Sequence, residues 1–154
     1  LHSFGSSVIL IVGVFAPPEM FWWGNRVVTR VPELGDPMPC EPIPQFGIVI
    51  SSAQTASACL VFLGGVPIEV ASISGSKIDY LAVDDPRFET SEGIHAGSKL
   101  EEVLATGASE PWSERGWAFH TRLTSGWEAA FTHGKSFAEE PLPCQSKVQW
   151  LFKR

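Results

Sequence analysis

Four histidines, His2, His95, His120 and His133, are the side chains best suited to bind a metal or move a proton near neutral pH. His95, His120 and His133 together could hold zinc and leave one coordination position open. Their spacing carries no ligand signature. Strand alternation puts His120 with Arg122 on a polar face, and His133 precedes Gly134 in a turn, so solvent-facing imidazoles are the simpler expectation. Asp84-Asp85-Pro86-Arg87 is a dense charged cluster. Two carboxylates can do acid–base work when their environments split their pKa values. Neighbours on a strand point to opposite faces, however, so the expectation is an Asp-Pro turn with Arg87 paired nearby. Gly93-Ile94-His95-Ala96-Gly97-Ser98 leads into a helix, and free amides at Gly97 and Ser98 could take an anion. The lysine of a phosphate loop is absent. No serine sits in a Gly-x-Ser-x-Gly elbow. No catalytic residue and no cofactor is assigned, and the expectation is a protein that is not an enzyme.

Cys40, Cys59 and Cys144 form no C-x-x-C pair, so neither that type of zinc site nor a thioredoxin-like site is indicated. Cys40 and Cys144 both lie in Pro-rich loops, where a Cys40–Cys144 cross-link could staple the ends of the chain in an oxidising compartment. Cys59, in Ala58-Cys59-Leu60-Val61-Phe62-Leu63, reads as a buried core thiol.

These side chains must be carried by a small body. The chain has 154 residues, 44% hydrophobic and 18% charged, which suits one folded domain rather than a disordered chain. A net charge of −6 argues against nucleic acid as a partner. Residues 1–16 contain the apolar run Val8 to Ala16, nine residues long. That is too short to span a membrane as a helix. Its length fits an export signal or tether over 8–16 better, with a buried first strand as the alternative. Residues 17–45 hold seven prolines, Pro17, Pro18, Pro32, Pro37, Pro39, Pro42 and Pro44. This stretch reads as a linker or wrapping segment with one short edge strand near Asn25 to Val31. The tryptophan pair Trp22-Trp23 suits a membrane surface or packing on the domain.

Residues 46–154 read as a single α+β domain. Strand-like runs occur at 47–51, 59–63, 68–73, 77–83, 117–123, 127–132 and 147–152. They predict a mostly antiparallel, curved sheet of about six to eight short strands. Gly64-Gly65 and Thr124-Ser125-Gly126 mark hairpins. In 147–152, Val148, Trp150 and Phe152 alternate with polar residues, which predicts one buried and one wet face. Ser98-Lys99-Leu100-Glu101 reads as a capping box opening a helix over 99–106 that ends at Gly107.

One stretch is more specific. Ile78-Asp79-Tyr80-Leu81-Ala82-Val83-Asp84-Asp85-Pro86 is followed by Thr90-Ser91-Glu92-Gly93-Ile94-His95-Ala96-Gly97-Ser98-Lys99-Leu100-Glu101-Glu102-Val103. The chain ends Ser146-Lys147-Val148-Gln149-Trp150-Leu151-Phe152-Lys153-Arg154. Together with Phe21-Trp22-Trp23-Gly24 and Val31-Pro32-Glu33-Leu34, this resembles the RpoE-regulated lipoprotein family of Gram-negative envelopes. The resemblance implies a periplasmic or outer-membrane-associated protein without an established activity, and it transfers no active site. No cysteine follows the apolar run before Cys40, so the resemblance does not extend to lipid attachment. The expectation is a non-catalytic envelope protein acting on an unknown envelope partner, or alternatively a periplasmic protein that binds a small ligand or metal on a concave sheet face.

Overall fold

A computed structural model describes residues 26–40, 46–131 and 142–154. Among these, nine strands and one short helix follow in the order β1 (Arg26–Val28), β2 (Phe46–Ser51), β3 (Gln54–Leu63), β4 (Val66–Ser72), β5 (Tyr80–Val83), α1 (Leu100–Ala105), β6 (Trp112–Glu114), β7 (Ala118–Arg122), β8 (Glu128–Phe131) and β9 (Trp150–Lys153). All nine strands join one open mixed sheet in the order β1-β3-β4-β5-β9-β8-β7-β6, with β2 also paired to β3. The protein is therefore mostly β, with a single turn and a half of helix, rather than a balanced α+β mixture.

The local chemistry explains the hairpins. Leu63 pairs with Val66 across Gly64-Gly65. These glycines have φ of +55° and +83°, the mirror-image turn whose twist matches that of the strands it joins. β7 and β8 pair antiparallel from Phe119↔Phe131 to Arg122↔Glu128. β1 adds parallel to the far end of β3, so that β1 and β2 lie end to end along one edge of it.

Several strands are shorter than their apolar runs. Ile78 hydrogen-bonds the wrapping segment, with Gly35 N–H donating to Ile78 O at 2.9 Å and Ile78 N–H to Asp36 O at 2.8 Å. Pairing with β4 begins only beyond it, at Tyr80. Val148 exchanges bonds with the approach to the helix, through Gly97 N–H to Val148 O and Val148 N–H to Ser98 O, both 2.8 Å. β9 consequently starts at Trp150.

Alternation places two separate cores on the two sides of the sheet. The outer side carries Cys59, Val61, Ile68, Val70, Leu81, Val83, Phe131 and Leu151 beneath Leu100 and Val103 of α1. The wrapping segment adds Met38 and Cys40 to the same core. Trp127 packs there against Phe88, with ring centroids 5.0 Å apart. The inner side carries Ala56, Ala58, Ala71, Ala82, Ala118 and Ala130 against Tyr80, Phe152, Trp117 and Trp150. Small residues on the inner side let the sheet curl. Ser52, after β2, meets Glu114 of β6 at 2.8 Å, although those strands lie at opposite ends of the sheet order. Both faces of β9 are thus packed, while Lys147 and Gln149, expected on the wet face, are exposed but precede the strand.

Cysteine pairing differs from the expectation. Cys40 is bonded to Cys59, with Cα atoms 6.4 Å apart, inside the range a disulfide spans. Cys144 is free and exposed. The expected Cys40–Cys144 cross-link and the inert Cys59 thiol are both incorrect. The reason is that the wrapping segment runs over the outer face of β3 and brings Cys40 to Cys59. Tryptophans 22 and 23 and residues 1–16 lie outside the described residues.

Candidate functional site

The inner face of the curled sheet holds the polar groups of interest, at two ends. At the first end, β4, β5, β9 and β2 enclose an open cavity of about 350 Å³. Its walls include Ile48, Glu69, Tyr80, Asp84, Gln149 and Trp150. Glu69 lies opposite Ala82 in the β4–β5 ladder. Asp84, two residues beyond Ala82, therefore sits diagonally from Glu69 on the same face. Burial, reinforced by the negative charge of Asp84, raises the Glu69 carboxyl above its ordinary value. Among the described residues neither carboxylate has an ion-pair partner. Burial also raises the Tyr80 phenol, while its side-chain bond to Trp150 acts the other way. Tyr80 stacks on Phe152 with centroids 5.8 Å apart.

The second end is the opposite in character. His120 is completely buried. Its Nδ1 lies 2.6 Å from Glu128 Oε2, and its Nε2 lies 3.3 Å from Glu114 Oε2. Arg122 Nη2 donates to Glu128 Oε1 at 3.2 Å, and Arg154 Nη2 donates to Glu114 Oε2 at 2.7 Å. Burial pushes both carboxyls upward, but their partners prevail. His120 and Arg122 hold Glu128 below its ordinary value. Arg154 and the Ser52 amide bring Glu114 down to about 2. Trp112 closes over the imidazole at 4.0 Å between centroids, and Trp117 and Phe152 flank it at 5.6 and 5.5 Å.

The structure thus moves His120 from the expected polar surface to the centre of the inner face. The alternation was right, but the face shared by His120 and Arg122 curls inward. His95 is half-buried and its Nδ1 lies 2.8 Å from Ala96 O. His133 lies outside the described residues. Among the described residues no cluster of three or more His, Cys, Asp or Glu could hold a metal ion. The amides leading into α1 are already occupied. Gly97 N–H donates to Val148 O, Leu100 N–H to Ser146 O and Glu101 N–H to Cys144 O. Ser98 Oγ accepts from His95 N–H at 3.1 Å, and the cap is made one residue later, by Glu102 Oε2 accepting from Lys99 N–H at 2.6 Å. The anion site expected at Gly97 and Ser98 therefore has no free donors of the kind it requires.

Asp84 and Asp85 do diverge, as strand alternation requires. Asp85 caps the turn and pairs Arg87 at 2.7 Å, while Asp84 lines the cavity, diagonal to Glu69 across the β4–β5 ladder. Glu69 was the residue the sequence hid. Its only signal was a lone acid inside the apolar run Ile68-Glu69-Val70, on the face that alternation separates from Ile68 and Val70. No family model, curated protein or solved structure matches this chain.

Proposed function

We propose that this chain is a non-catalytic binding protein of an oxidising envelope compartment, and that its ligand is a compact organic cation held on the inner face of the sheet. The observation that carries this reading is the pair of uncompensated carboxylates, Glu69 and Asp84, on the wall of one cavity. Glu69 is half-buried and Asp84 sits at the exposed rim, and holding the Glu69 charge away from water without a partner costs stability unless something binds there. Elsewhere on the inner face, Glu114 and Glu128 each have an arginine. The rings of Tyr80 and Trp150 suit an ammonium with apolar substituents, which gains from both the ring faces and the carboxylates. The compartment is supported by the Cys40–Cys59 disulfide, because such bonds persist in oxidising environments. The resemblance to envelope lipoproteins points the same way.

Calorimetric titration with putrescine and with tetramethylammonium tests the reading, with glycerol and acetate as controls. Saturable heat and a raised melting temperature with one of the amines are expected, because a ligand that binds only the folded state stabilises it. Glu69→Gln should abolish both. Equal, unsaturable responses to the amines and to glycerol would refute the proposal.

A further inference from the structure

The curled sheet leaves two strand edges, β2 and β6, that do not pair with each other. Side chains join them instead. Glu114 Oε1 accepts the Ser52 amide at 2.8 Å, and Arg154 Nη1 donates to Ile50 O at 3.3 Å. Arg154 is itself held by Glu114 and lies over the Trp117 ring at 4.9 Å. Behind Glu114 stands His120, whose buried Nε2 has no hydrogen-bond partner among the described residues although Glu114 Oε2 is only 3.3 Å away.

Both ring nitrogens of His120 thus face carboxylate oxygens. In either neutral tautomer, one ring nitrogen without a proton lies within 3.3 Å of a carboxylate oxygen. Both contacts are attractive only when both nitrogens carry protons. The charged groups around the ring are Glu114 from β6, Glu128 from β8, Arg122 on its own strand bound to Glu128, and Arg154 after β9 bound to Glu114. The 2.6 Å contact to a carboxylate oxygen of Glu128, which can only accept, places a proton on Nδ1. The Nε2 proton is the one whose loss is felt, and it is felt by Glu114.

We propose that Glu114 is a positioning residue, a clasp whose grip on β2 depends on the protonation of His120 and which sets the width of the cavity through Ile48 and Val49 of that strand. With Nε2 protonated, Glu114 is drawn inward and holds Ser52. With Nε2 bare, the attraction becomes repulsion and the β2 edge loosens. Only the consequence for the ligand rests on the reading of the cavity as a binding site; the clasp itself does not.

Hydrogen exchange of the full chain, corrected for intrinsic rates, reads the clasp without any ligand. Protection of the Ser52 amide should fall about tenfold between pH 5.5 and pH 8.5, the scale of one hydrogen bond to a charged acceptor. Glu114→Gln should make protection at Ser52 the same at both pH values. Should that variant fail to fold, nitrogen chemical shifts of the wild-type ring decide, and two N–H signals for His120 at pH 5.5 are expected. Unchanged Ser52 protection across the range, or one bare ring nitrogen at pH 5.5, overturns the proposal. Putrescine titration of the same samples separates the two ideas. Binding with pH-independent Ser52 protection would sink the clasp alone, whereas pH-dependent protection without binding would uphold the clasp and sink the binding reading.

Discussion

The inner face carries negative charge at both ends and treats it in opposite ways. Around His120, Glu114 and Glu128 are each matched by an arginine and by a ring nitrogen, and large rings exclude water. Around the cavity, Glu69 and Asp84 sit diagonally across the β4–β5 ladder with no ion-pair partner among the described residues. The first arrangement ties β6, β7, β8 and the C-terminus into one unit. The second raises the energy of the folded protein, which no structural need of the sheet demands. Charge that is matched can be read as architecture, whereas charge left unmatched in a cavity is what the proposed binding reading rests on.

The comparison breaks most visibly at Glu128. Glu128→Ala leaves buried His120 without its 2.6 Å partner and Arg122 without its anchor. A loss of about 3 kcal/mol is expected, the lower range for removing one member of a buried pair. A chemical denaturation series measures it directly. A loss similar to that of an exposed salt bridge would mean that the matched end is not what ties these strands together.

Acid titration reads matched carboxylates without mutation, Glu114 at this end and Glu92 outside it, beside the turn between β7 and β8. Glu114 and Glu92 each have a folded value of about 2 against an ordinary 4.5. For Glu92, burial acts upward and is outweighed by bonds from Thr124 and Ser125. A depressed carboxyl contributes stability above its unfolded value and loses it as pH falls toward the folded one. Stability should therefore decline from about pH 4.5 down to about pH 2, and the Glu92→Gln variant should decline less steeply. Thermal melts across that window are the measurement.

Much of this contrast could not be read in the chain alone, for a definite reason. The hairpins at 64–65 and 124–126 and the helix ending at Gly107 depend on local backbone chemistry, so they were legible. The start of β3 at Gln54 and the short β6 were not, because polar and small residues occupy them and their pairing is supplied by distant strands. Alternation puts His120 on the right strand and on the side opposite Phe119 and Thr121, but it implies solvent there, because the sequence does not say which face curls inward. The disulfide was missed because it depends on the path of the wrapping segment over β3. The Glu69–Asp84 pair joins residues from two strands, and only the register, Glu69 opposite Ala82, reveals it.

At the unmatched end the expected sign reverses. Because the Glu69 carboxyl is raised, the folded state holds its proton more tightly than the unfolded chain does. That preference favours folding below the unfolded value and is lost as pH rises through the folded value. Glu69→Gln should therefore stabilise the protein at pH 7, by on the order of 1 kcal/mol, the usual scale of relieving such a site. The gain should vanish in acid. A destabilised variant at pH 7 would show that Glu69 has a structural partner after all.

Asp84→Asn should do the least, because Asp84 is exposed at the rim while Glu69 is half-buried. A change within about 0.5 kcal/mol is expected for such a surface position. Its worth lies in combination with Glu69→Gln. If the two carboxylates repel one another, removing either one already relieves the repulsion, so the double variant must gain less than the sum of the two single gains. Residues that share no interaction add within a few tenths of a kcal/mol. Strict additivity at pH 7 would therefore mean that Glu69 and Asp84 do not share a site. A shortfall that disappears in acid, where Glu69 is protonated, would show that the shared charge is its cause.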